Sequence, residues 1–183
     1  HASRARACAI LTGIGTVLKD RPTLDARLAN TPRQPHLVVV DSRLQTPPDA
    51  SIFIAGRAVF ISASSQNDAK KQALEAAGAT VLHLPDAVGR VDLAALLHEL
   101  ARREINEVHV EAGHTLNGAL IQAGLVDEFL VYLAPQLVGP GLDMARLLPL
   151  AGLSDAVPLQ FTSVGLVGPD IRITARIPGR DQF

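Results

Sequence analysis

The chain has 183 residues, enough for one domain with a sizeable core. Hydrophobic residues make up 48% and the net charge is −1, so no global field favours nucleic acid or an anionic membrane surface. The single cysteine, Cys8, excludes an intrachain disulfide and suits a reducing cytoplasm, the location expected here. No run approaches the roughly 18 apolar residues of a membrane span, and residues 1–7 lack the apolar block of a secretory signal.

In chain order, residues 1–7 read as the end of a helix, with Arg4 and Arg6 suited to its last turn. Residues 8–12 form a short apolar run, a buried strand by pattern, and residues 13–20 a turn and a helical segment closed by Arg21-Pro22. Residues 31–35 carry two prolines and read as a loop. The β-branched runs 36–41, 58–62 and 80–84 read as strands. A helix between the last two is expected to start on a Ser65/Asp68 capping box and end at Gly78. Asp92 caps a further helix, with Leu93, Leu96, Leu97 and Leu100 on one face, reaching about residue 104. Residues 108–111 are a strand and 116–123 a helix. Strands alternating with helices indicate parallel βαβ units with helices on both faces of the sheet. Residues 128–134, 159–165 and 171–177 read as strands, the last two as an antiparallel hairpin at the edge of a mixed sheet.

Residues 107–118 carry the strongest local signal. A strand ends on Glu111, passes through the turn Ala112-Gly113 and opens into a helix, whose free N–H groups and dipole suit an anionic group such as a nucleotide phosphate. Glu111 would face the same crevice, because a carboxylate at a buried strand end needs solvent, a partner or a ligand. His114, in the same turn, is either a ligand contact or a solvated side chain. Gly13-Ile14-Gly15 follows a strand, but Leu18 occupies the third glycine position of the dinucleotide fingerprint. That loop can still bring backbone N–H groups to a ligand. Asp20 reads locally as a turn residue, and Arg4, Arg6 and Arg27 taken singly as solvated charges. Asp41-Ser42-Arg43 ends a strand as either a phosphate contact or an Asx-type turn with an exposed arginine. The six histidines show no metal-ligand spacing and no Ser–His–Asp set can be assembled, so no metal is expected.

Several blocks in order carry a more specific signal. Ala9-Ile10-Leu11-Thr12-Gly13-Ile14-Gly15-Thr16-Val17-Leu18-Lys19-Asp20-Arg21-Pro22-Thr23-Leu24 with Arg27, then Val39-Val40-Asp41-Ser42, then Val110-Glu111-Ala112-Gly113 with Thr115-Leu116, and finally Gly118-Ala119-Leu120 through Asp127-Glu128 resemble the reductase domain of the bifunctional riboflavin-biosynthesis deaminase/reductase. The resemblance runs from about residue 4 to residue 176. It implies a dihydrofolate-reductase-like α/β fold, NADPH as cofactor and a homodimer. The implied reaction reduces the ribosylamino side chain of 5-amino-6-(5-phosphoribosylamino)uracil to ribitylamino. Carried over by position, Thr16, Asp20, Ser42 and the loop Gly113, His114, Thr115, Leu116, Asn117, Gly118 and Ala119 would contact NADPH. Arg4, Leu24, Arg27 and Glu111 would contact the phosphorylated pyrimidine, with Glu111 the one candidate for a catalytic role.

Family members carry, just before this region, a strand with Lys-Leu-Ala or similar and a loop with Ser-x-Trp-Ile, and further upstream a zinc deaminase domain. None of these is present in the 183 residues. The expectation is therefore a single reductase domain over residues 1–183, lacking its first strand and weakly active or inactive alone. Two alternatives stay open: a catalytically silent nucleotide-binding or dimerisation module, and the related reductase that acts on the diamino-pyrimidinone before deamination. A dihydrofolate reductase is disfavoured, since the chain has no tryptophan and the first-strand acidic position is not represented.

Overall fold

Five short parallel strands carry the site: β1 (Ala9–Gly13), β2 (His36–Val40), β3 (Val59–Ala63), β4 (Ala79–His83) and β5 (Val108–Val110), in the order β4-β3-β2-β1-β5. They come from a computed structural model that describes residues 1–28 and 31–179. The helices are α1 (Ala2–Arg6), α2 (Ile14–Asp20), α3 (Asp68–Ala76), α4 (Leu93–Arg102) and α5 (His114–Gln122). Because both faces of the sheet are covered, its strands are continuous apolar runs rather than alternating ones. One face sets Ile10, Leu37, Val39 and Ile61 against Val17 of α2 and Leu74 of α3. The other sets Leu11, Val38, Phe60 and Leu82 against Leu96 and Leu100 of α4 and Leu120 of α5.

The expected architecture is present, with differences at the ends of elements. The cap of α3 is Asn67, whose side chain accepts from the Lys70 N–H at 3.0 Å, and not Ser65. Ser65 lies two residues ahead of that cap position, with its N–H bonded to the Ser42 carbonyl at 2.9 Å and its Oγ buried without a partner. Helix α4 starts on Asp92 as read, with the carboxylate accepting from Ala95 N–H at 2.9 Å. Helix α5 begins at His114, with Gly113 at the cap position, two residues before the expected start. Strand β5 closes at Val110, and Glu111 just beyond it still donates its N–H to the Leu11 carbonyl at 2.9 Å.

The C-terminal strands β6 (Glu128–Leu133), β7 (Gln160–Val167) and β8 (Asp170–Arg176) pair antiparallel in the order β6-β8-β7. The expected β7–β8 hairpin is there, turning at Gly168 with φ 61°. It belongs to a three-stranded sheet completed by β6 instead of to the edge of the parallel sheet. Cross-strand register aligns three apolar rows on one face of it: Phe129-Ala175-Phe161, Val131-Ile173-Val164 and Leu133-Ile171-Leu166. On β7 this face is open, with Phe161 65%, Val164 60% and Leu166 76% exposed.

Candidate active site at the β1–β5 switch point

Strands β1 and β5 are hydrogen-bonded neighbours, yet the helices that follow them pack on opposite faces of the sheet. Such a switch point opens a crevice at the carboxyl ends of the strands. A hydroxyl ties its two walls together, Thr12 Oγ1 donating to the Glu111 carbonyl at 2.8 Å. The starts of α2 and α5 lie side by side, since a Cβ added to Gly13 would sit 3.5 Å from Leu116 Cδ2. Neither helix has a side-chain cap. Their first N–H groups are therefore available to a ligand, and the paired dipoles favour an anion. A Cβ built on Gly15 or Gly113 would meet nothing within 4 Å, so there is room at both starts. These features fit the diphosphate of a nicotinamide dinucleotide.

Within the loop and first turns from Gly113 to Ala119 the residues divide. Gly113, His114 and Thr115 stand at the rim. Leu116 packs into the core beneath. The Asn117 amide donates to the carbonyls of Ala112 at 3.2 Å and Met144 at 2.9 Å, fixing the turn to the 144–146 segment. Gly118 is buried under that segment, and a Cβ there would run into the Arg146 carbonyl. Ala119, one position further, is half-buried in the helix. Thr16 and Asp20 share one flank of α2, four residues apart. Asp20 sits at the helix C-terminus, where the dipole disfavours a carboxylate, and it makes no ion pair among the described residues. Ser42 follows β2, with its carbonyl accepting from Ser64 N–H at 3.2 Å and Ser65 N–H at 2.9 Å. Asp41 takes the turn-forming role: it is fully buried, and its Oδ2 accepts from Thr46 N–H at 2.7 Å and Thr46 Oγ1 at 2.8 Å.

The other end of the site is charged. Arg4 grips Glu111 with two hydrogen bonds, Nε to Oε1 and Nη2 to Oε2, each 2.6 Å, and donates through Nη1 to the Asp25 carbonyl at 3.0 Å. Burial acts to raise the Glu111 carboxyl, but the hydrogen bonds and charge of Arg4 outweigh it and the net shift is downward. The same hydrogen bond raises Arg4 against the opposing effect of burial. Glu111 is thus an ionised acceptor at neutral pH. Arg27 lies 3.6 Å from Asp25 Oδ1, is largely exposed, and donates its N–H to His1 Nδ1 at 3.2 Å. Leu24 adopts a left-handed backbone (φ 50°) and its side chain is core, so only its backbone can face a ligand.

A cleft of about 400 Å³ adjoins this clamp, lined by His1, Arg4, His109 and Glu111 on one side and Leu130 and Tyr132 of β6 on the other. His109 Nε2 lies 3.5 Å from Glu111 Oε1. Burial lowers its pKa more than the Glu111 charge restores it, so at neutral pH this contact joins an uncharged imidazole to a carboxylate. His1, His109, Tyr132 and Asp25 join the site from outside the motifs read in the sequence. For His109 the position two before Glu111 on one strand was a usable signal, since both fall on the same side. The others are brought in by loops or by a distant strand.

The fold defines a doubly wound α/β domain with a crevice at its switch point and an ionised clamp beside it. The chain belongs to the RibD C-terminal domain family, whose model matches residues 1–173. It is 37% identical over 182 residues to the riboflavin biosynthesis protein RibD of Escherichia coli, covering 92% of this chain and 48% of that protein. The chain thus spans about half the length of that relative. It is 26% identical to the 5-amino-6-(5-phosphoribosylamino)uracil reductase of Buchnera aphidicola, covering 93% of this chain and 86% of the relative. Among solved structures, RibD of Acinetobacter baumannii superposes with a TM-score of 0.79 at 30% identity, over 96% of this chain and 48% of that one.

Proposed function

We propose that this chain is an NADPH-dependent reductase domain of riboflavin biosynthesis that converts the ribosylamino side chain of 5-amino-6-(5-phosphoribosylamino)uracil to ribitylamino. One observation carries the reading: two uncapped helix starts and an ionised Arg4–Glu111 clamp converge on adjacent strand ends. In this reading the rim N–H groups of residues 113–115, with Thr16, Asp20 and Ser42, hold NADPH. The bound nicotinamide supplies the hydride. Arg27 and the free N–H groups of Arg4 take the substrate phosphate through charge-assisted bonds. Glu111 accepts from sugar hydroxyls or the uracil ring and orients the reacting carbon, and the backbone of Leu24 lies against the pentose. Held ionised, Glu111 serves catalysis by orientation and not as a proton donor.

The test is turnover on the deaminated and aminated pyrimidines beside calorimetric titration with NADPH. Faster NADPH oxidation with the deaminated uracil supports the reading, and a preference for the aminated substrate moves the domain to the earlier reductase. Binding of NADPH with no turnover on either would favour a silent nucleotide-binding module.

Two further parts of the proposal concern completeness. Among the described residues strands β5 and β6 each pair on one side only, and the 400 Å³ cleft lies between them. In this reading an extended segment outside residues 1–183 would supply the first strand there, so residues 1–183 alone are expected to be weakly active or inactive. The open apolar rows of the second sheet support a homodimer. The surface of 11441 Å² exceeds by roughly 3,000 Å² what a compact monomer of this mass exposes. That excess is of the size that a strand and an obligate partner together would cover. In the whole protein the neighbouring domain would be a zinc deaminase, working in the same cytoplasm.

A further inference from the structure

Arg57 lies just before β3, outside every motif singled out in the sequence. Its guanidinium is more than half buried, and it reaches back across 33 and 34 residues to two consecutive carbonyls. Nη1 donates to Leu24 O at 2.7 Å, while Nη2 donates to Thr23 O at 2.5 Å and to Ile52 O at 2.7 Å. The next carbonyl along the same loop, that of Asp25, is held by Arg4 at 3.0 Å. Three successive carbonyls are thus gripped by two guanidinium groups, and the second of these is the one that clamps Glu111.

The arrangement carries costs that plain packing does not require. Burial lowers the Arg57 pKa to about 10, with Asp25 opposing and Arg4 adding to the shift, so a charged group is held inside at neutral pH. Its Nε is buried without a partner. Leu24 is kept at φ 50°, a left-handed backbone that L side chains adopt only at a cost. Leu24 and Asp25 are adjacent, so the backbone held by Arg57 is continuous with the carbonyl held by Arg4.

We infer that Arg57 is a positioning residue, which sets the Arg4–Glu111 clamp through the Thr23-Leu24-Asp25 carbonyls. The inference rests on the substrate reading above for its kinetic consequence, though not for the geometry. Neither Lys nor Met can reproduce a planar fork that serves three acceptors, so the two variants form a graded pair.

The experiment compares the full-length chain with Arg57→Lys and Arg57→Met. The KM for the phosphorylated pyrimidine and kcat are measured, and the Glu111 carboxyl is followed by carbon NMR titration in ligand-free protein. In Arg57→Met the KM is expected to rise about tenfold with kcat falling by less than about threefold. The Glu111 midpoint is expected to move upward as Arg4 disengages, with Arg57→Lys intermediate in both. A variant that loses only thermal stability, with the KM and the Glu111 midpoint as in the parent, would overturn the inference. If the parent chain reduces neither pyrimidine the functional reading fails, and the Glu111 titration alone still decides the role of Arg57. Should Arg57→Met not fold, the same two readouts on Arg57→Lys decide it.

Discussion

Arg4 and Glu111 are 107 positions apart, and yet the guanidinium of one lies fork to fork on the carboxylate of the other, both bonds 2.6 Å. The pair joins α1 to the end of β5 and sits at the mouth of the crevice, with the two side chains only 20% and 28% exposed. Read singly, these residues suggest separate contacts, an arginine for phosphate and a carboxylate for the sugar or base. Joined, they form one rigid element in which Glu111 stays ionised and Arg4 keeps two of its five N–H groups for a ligand.

Glu111→Gln should therefore fail in a particular way. The amide keeps one acceptor but loses the charge that holds Arg4, at a cost of about 1–3 kcal/mol in stability. Reductase turnover per KM should fall by roughly 10²-fold or more if the same carboxylate orients the substrate. Calorimetric NADPH affinity should stay close to that of the parent, because the helix starts are untouched. A parallel loss of NADPH binding would contradict the division of the site into two ends.

Gly118→Ala probes the support under the cofactor loop. The added Cβ meets the Arg146 backbone, which belongs to a continuous segment and has no side-chain freedom to move aside. Overpacking of this kind costs about 1–3 kcal/mol, lowering the melting midpoint by roughly 2–4 °C for each kcal/mol. Thermal melts with and without NADPH check it, and a variant as stable as the parent would show that the 144–146 segment is not packed on α5.

Acid should weaken the fold in a defined order. Burial lowers both His36 and His109, the former aided by Arg33 and the latter opposed by Glu111 and Glu107 but aided by Arg4 and Arg6. Below the unfolded value near 6.5 the unfolded chain takes up protons first. Their contribution is thus present above that pH and lost as pH falls through the lower folded values. Glu111, also lowered, adds a second loss below the ordinary carboxylate range. Melting midpoints should fall between about pH 7.5 and about pH 5.5, and less steeply in His109→Gln. An unchanged slope in that variant would contradict the burial of His109.

Leu166→Lys places a charge on the open apolar rows. The parent chain should sediment as a dimer at micromolar concentration, and the variant as a monomer with the same helix content. A parent that sediments as a monomer would remove the second sheet as an interface.

Much of the parallel sheet was legible because its signal is local. β-branched runs such as 37–40, an Asp92 cap and a Gly78 stop each act within a few residues. The strand-to-helix turn at Ala112-Gly113 was legible for the same reason, although the helix starts two residues earlier than its apolar pattern. What stayed hidden depends on contacts remote in sequence. Asn67, not Ser65, caps α3 because the helix starts at Asp68 and puts Asn67 at the capping position. The split into two sheets depends on which strand lies beside β5, and no period records that. The grip of Arg57 on residues 23 and 24, and that of Arg4 on Glu111, join segments that no local pattern connects. Gly118, read as a cofactor contact, is needed for backbone approach by a segment 28 positions away.

The most direct test of the central claim follows the hydride. The full-length chain is incubated with 5-amino-6-(5-phosphoribosylamino)uracil and NADPH deuterated at the transferring carbon, and the product is weighed by mass spectrometry. A ribitylamino product carrying a single deuterium in its side chain is expected from the parent and is strongly suppressed in Glu111→Gln. A product without deuterium, or no reduced product from a chain that binds NADPH and the pyrimidine, would contradict the claim.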